Sequence, residues 1–143
     1  MGYYQNEDEI RAVVTGFELC TTGKEDFKHR DHLTVAVWYL RDSTVTEAFL
    51  RMREGLFQFL DHHGVGREKY HETLTIFWLK LVQVVMGEVS NPTYLVETTN
   101  TVVERLADTR IVFEYYSEEL LWSPDAKRSW VEPDRKAIHK TLG

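Results

Sequence analysis

Between Leu74 and Met86 the chain is apolar except at Thr75, Lys80 and Gln83. A segment this apolar around most of its circumference has to be enclosed by other elements, and it is too short to cross a bilayer. The spacing predicts a helix from about Tyr70 to Glu88 at the centre of a helical bundle. Its densest apolar sector holds Leu74, Phe77, Trp78, Leu81, Val84 and Val85.

The rest of the chain supplies helices to surround it. Asn6 with Glu9, and Thr44 with Glu47, have capping-box spacing ahead of apolar residues at helical intervals. The first opens a helix through Ile10, Val13, Val14 and Phe17, broken at Thr21-Thr22-Gly23. The second opens a helix through Phe49, Met52, Leu56 and Phe59, stopped near His63-Gly64 by a glycine C-cap. Another helix is expected from about His29 to Arg41. Asn91-Pro92 reads as a cap followed by proline, starting a helix to about Ala107. Beyond Asp108 the pieces shorten. Asp108 to Tyr115 reads as one or two turns, Ser117 caps Glu118 to Trp122, and Ser123-Pro124-Asp125 caps a turn ending near Trp130. No stretch alternates with period two. The expectation is one all-α domain over residues 1–143, four to five long helices with short C-terminal helices closing one end.

The 143 residues carry a formal net charge of -6 with interleaved signs. That balance argues against a non-specific nucleic-acid surface or an anionic-membrane surface, both of which need clustered cations. The N-terminus has no basic-then-apolar leader pattern, and Cys20 is the one cysteine, so a reducing, cytoplasmic setting is expected.

Polar residues written into apolar helix faces are the candidate chemistry. At about 100° per residue, His29, His32, Leu33, Ala36 and Leu40 share one face, with His29 near its centre and His32 at its flank. Histidines at i and i+3 are able to converge on one ion. An equally simple reading is that they donate to nearby carbonyls and close the core. In Tyr70-His71-Glu72, Tyr70 falls inside the central helix's apolar sector and His71 at its edge, while Glu72 points towards Ile76, Lys80 and Gln83. His29, His32 and His71 together would leave one position open on a divalent transition metal, zinc or iron. His71 would otherwise be a general base, and Glu72 a catalytic or supporting carboxylate. The plainer alternative for Glu72 is the favourable end of a helix dipole. No Glu-x-x-His occurs, which disfavours a dinuclear carboxylate site.

Tyr115, Tyr116, Arg128 and Trp130 form a third group, suited to lining a small-molecule pocket and equally to sealing the end of a bundle. Arg128 has Glu132 and Asp134 within reach as partners, or an anionic ligand group. Cys20 has no neighbouring base and reads as a small buried residue. His62 and His63 suit a helix C-terminus, and His139 lies in the tail. There is no phosphate-binding glycine loop, nucleophile elbow or paired-cysteine motif.

Phe27-Lys28-His29-Arg30-Asp31-His32-Leu33, Lys69-Tyr70-His71-Glu72-Thr73-Leu74-Thr75, Tyr115-Tyr116-Ser117, Ser123–Arg128 and Trp130-Val131-Glu132-Pro133-Asp134 together resemble a family of small bacterial proteins with no established activity. The resemblance implies that these segments belong to one compact unit and carries no reaction with it.

Two functional readings follow. In the first, His29, His32, Tyr70 and His71 line an internal pocket, closed by the C-terminal aromatic segment. That pocket takes a small molecule, through a metal or without one, and suits a hydrolase or isomerase. In the second, the chain is a non-catalytic interaction domain whose polar network fixes helix register. An open cavity touching two or more of the histidines favours the first; a closed core with every imidazole nitrogen paired favours the second. Trp38, opposite His29 on its helix, suits a homodimer contact under either reading.

Overall fold

The computed structural model describes residues 2–89 and 94–138. The protein is all-α, with no strand among the described residues. The five longer helices are α1 (Glu7–Glu18), α2 (His29–Leu40), α3 (Val45–His62), α4 (Glu72–Glu88) and α5 (Leu95–Arg105). 3-10 segments of one and two turns lie at Arg67–Lys69 and Thr109–Glu114, followed by the short helices α6 (Glu118–Leu121) and α7 (Pro124–Arg128).

Capping chemistry sets most of the boundaries. Asn6 Oδ1 accepts from the Glu9 amide, and Thr44 and Glu47 close a reciprocal capping box at 3.1 and 3.0 Å. Ser117 and Ser123 accept from Leu120 and Ala126. Gly64, at φ 71°, takes the left-handed turn that ends α3. Cys20 adopts φ 59° after α1 and is buried, with Thr21 N donating to Gly16 O and Cys20 N to Phe17 O. That is a Schellman closure using a residue other than glycine. The expected Asn91-Pro92 cap lies outside the described residues, as does His139.

α4 does not hold the centre alone. α2 packs against α1, α3, α4 and α5, while α4 packs against α2, α3, α5 and α7. Both helices are therefore enclosed, and α2 buries Leu33, Val35, Val37 and Tyr39 almost completely.

At the α1–α3 crossing, the Phe17 ring stacks on Phe27 with centroids 4.7 Å apart and leans on Phe59 at 5.9 Å. It lies directly over Gly55, where a Cβ would meet the ring at 2.6 Å. Gly55→Ala is therefore expected to destabilise the fold by about 1–3 kcal/mol through overpacking, against roughly 1 kcal/mol of gained helix propensity. A melting temperature equal to or above that of the parent would overturn this.

The C-terminal segment clasps the start of α4. Thr73 Oγ1 donates to Ser129 O at 2.9 Å and accepts from Val131 N at 3.2 Å. Lys127 Nζ donates to the carbonyls of Glu68 and Tyr70. Tyr116, fully buried, donates to Val131 O at 2.7 Å, and Asp134 accepts from the Ser117 amide and hydroxyl. Trp38 is half-buried, with the Arg11 and Arg41 guanidinium carbons 5.6 and 4.3 Å from its ring centre. No helix among the described residues is long and apolar enough to cross a membrane.

Candidate functional site: a cavity beside two imidazoles

α2, α3 and α4 do not close completely on one another. Between them, with the α1–α2 loop and the turn before α4, lies a cavity of about 480 Å³. Its apolar wall is built by Phe27, Met52, Leu56, Phe59, Leu74 and Trp78. These residues come from separate elements that each present an apolar stripe, and the rings of Phe27, Phe59 and Trp78 keep the space from collapsing.

His29 and His32 project into this space from the first turn of α2. His29 Nε2 lies 2.8 Å from Leu106 O, so this nitrogen carries the hydrogen, and Nδ1 has no partner among the described residues. The His29 ring also meets Trp78 edge-on at 4.6 Å. His32 is half-buried, borders the cavity and meets Phe27 edge-on at 4.5 Å. Burial, and then the neighbouring His29, push the His32 imidazole down to about 4, although the Lys28 carbonyl beside it opposes the shift. His32 is therefore neutral near pH 7. Neither histidine has its second nitrogen sealed in. Among the described residues, the buried polar side-chain atoms without a partner are Arg30 Nε, His63 Nε2, Thr98 Oγ1 and Thr99 Oγ1.

His71 also borders the cavity but has no nitrogen to offer. It is the N-cap of α4, with Nδ1 accepting from the Leu74 amide at 3.1 Å and Nε2 lying 2.8 Å from Leu121 O. That work accounts for the start of α4 at Glu72 in place of the expected Tyr70. Burial holds the His71 imidazole below its ordinary range, consistent with a neutral ring bonded at both nitrogens. The expected metal triad of His29, His32 and His71 is corrected accordingly. Among the described residues, no group of three or more His, Cys, Asp or Glu side chains is placed to hold a metal ion. The expected general-base role for His71 meets the same obstacle, since both nitrogens are spent on backbone.

Tyr70 reaches the cavity wall while its hydroxyl donates to Glu72 Oε1 at 2.8 Å. Burial, with the Glu72 carboxylate adding to it, pushes this phenol up. Glu72 faces away from the cavity, where Arg53 meets it at 3.3 Å. Its carboxylate thus has two partners, the Tyr70 hydroxyl and the Arg53 guanidinium. Tyr70 and Glu72 border a second depression of about 360 Å³, with Arg53, Arg67, Lys127 and Arg128. Those cations are engaged: Arg67 on Asp61, Arg128 on Asp125 at 3.4 Å, and Lys127 on backbone carbonyls.

The C-terminal aromatics stand elsewhere. Tyr115 and Tyr116 pack edge-on against Phe77, and Trp130 Nε1 donates to Glu132 at 2.8 Å. None of the three borders either space, and Arg128 pairs with neither Glu132 nor Asp134. The expected closure of the pocket by this segment is thus replaced by the clasp on α4. The boundary that sequence reasoning missed is the α1–α2 loop, through Lys24 and Phe27, and the wall residues Met52, Leu56 and Phe59 of α3. Helical spacing marks the α3 residues as core; nothing local distinguishes a core position from a cavity wall.

The chain matches no family model, no curated protein and no solved structure. The reading of its function rests on the geometry above.

Proposed function

We propose that the protein binds a small, mainly aromatic molecule in the cavity between α2, α3 and α4, with His29 and His32 accepting hydrogen bonds from it. The observation that carries this reading is the pair of imidazoles on a mostly apolar wall, each with a nitrogen that no hydrogen bond of the protein occupies. A volume of 480 Å³ lies within the ordinary range for ligand sites, and a mostly apolar wall with a few placed polar groups is their usual composition. Because the His29 Nε2–H is committed to a backbone carbonyl and a neutral His32 keeps one bare nitrogen, the cavity offers acceptors. The matching ligand brings a donor, such as a phenolic hydroxyl. His71, bonded at both nitrogens, supports the network reading for its own position and no further.

Calorimetric titration with 2-naphthol and its methyl ether, which lacks the donor, tests this. 2-Naphthol is expected to bind about tenfold more tightly than the ether, a difference that one buried hydrogen bond supplies. His32→Leu is expected to shrink the gap, and Leu56→Trp, which fills the cavity, to weaken both. If neither compound binds the parent protein, the reading fails.

A further inference from the structure

Resting on that reading, the charges at the cavity point to the class of its ligand. The charged side chains bordering the cavity are Lys24, from the α1–α2 loop, and Lys69, from the turn before α4. No carboxylate borders it, in a chain whose formal net charge is -6. Many cations elsewhere are engaged: Arg51 with Glu18, Arg53 with Glu72, Arg67 with Asp61, Arg105 with Glu88 and Arg110 with Asp108. The exposed Lys24 and Lys69 ammonium groups make no ion pair, hydrogen bond or ring contact among the described residues. Their near neighbours Glu25, Asp26 and Glu68 do not border the cavity.

Two unpaired ammonium groups beside an apolar space make an electrostatic preference. A cavity with low-dielectric walls focuses their field, and a carboxylate placed there exchanges hydration for charge-assisted hydrogen bonds. Phe27, Phe59 and Trp78 supply ring faces and edges for an aromatic body. At about 30 Å³ per water-sized unit, the space takes on the order of fifteen non-hydrogen atoms. We infer that the cavity takes a hydroxylated aromatic acid, its ring against Phe27, Phe59 and Trp78, its hydroxyl donating to His29 or His32, and its carboxylate held by Lys24 and Lys69.

Three probes share one aromatic body and differ in charge: 2-naphthol, 6-hydroxy-2-naphthoate and the cationic 6-(aminomethyl)-2-naphthol. Calorimetry at low salt is expected to give about tenfold tighter binding for the acid than for 2-naphthol, with the cation weakest. Raising the salt should weaken the acid alone. Lys24→Gln combined with Lys69→Gln should bring the acid down to the level of 2-naphthol while leaving 2-naphthol unchanged, which also shows that the variant is folded. Equal binding of all three probes overturns the acid inference and leaves the cavity reading standing. A preference for the acid that survives in the double variant overturns the role of the lysines. Absence of binding by any probe overturns both.

Discussion

Replacing His71 with alanine is expected to lower the unfolding free energy by about 2–3 kcal/mol. The ring does two structural jobs at once. Its Nδ1 caps α4 by accepting from the Leu74 amide, and Nε2 donates to Leu121 O, tying α6 to the start of α4. Loss of a helix cap costs about 1 kcal/mol, and stranding a partly buried carbonyl adds about 1–2 kcal/mol. His71→Asn separates the two, because asparagine is a good N-cap but too short to reach Leu121. It is expected to recover about 1 kcal/mol of the loss. Urea unfolding of the parent and both variants measures this. An alanine variant as stable as the parent would return His71 to the list of candidate chemical groups.

Acidification from pH 7 to pH 4 is expected to remove about 3 kcal/mol of stability through His32 alone. Its imidazole is held near 4 in the folded protein and sits near 6.5 when unfolded, so between these values the unfolded chain binds the extra proton. The contribution is fully present above pH 6.5 and is lost as pH falls through 4, at about 1.4 kcal/mol per unit of difference. His71, also held below its ordinary range, acts in the same direction. His32→Leu should flatten the stability curve between pH 6.5 and 4 relative to the parent. Identical slopes for the two proteins would show that His32 is hydrated and that the cavity is open to water at its imidazole. The two predictions are read differently: His71→Ala lowers stability at pH 7, where its ring is neutral and bonded at both nitrogens, whereas His32→Leu changes the dependence on pH.

The helices were legible because capping residues and apolar spacing act locally. Asn6, Thr44, Ser117 and Ser123 each cap the helix whose start they mark. His71 was read as chemistry because histidine seldom caps a helix, and its second bond reaches a carbonyl fifty residues away in sequence. Wheel positions brought His29, His32, Tyr70 and His71 to one cavity. They did not show which nitrogens were already spent, since Leu106 and Leu121 come from distant turns. Tyr116 and Trp130 illustrate the opposite limit. An aromatic with a polar tip suits a ligand wall and a seal equally, and only the Val131 carbonyl and the Glu132 carboxylate decide between them.

The clasp of the C-terminal segment on Thr73 also constrains the order in which the molecule matures. Its two hydrogen bonds span sequence separations of 56 and 58 residues. During synthesis, α2 and α3 are available to pair well before residues 129 and 131 leave the ribosome. The N-terminal turn of α4, which carries Tyr70 and His71 to the cavity, is locked only afterwards, because such remote contacts carry a closure cost that nearby ones do not. The α4 end of the binding space is therefore fixed in place only once residue 131 has been made.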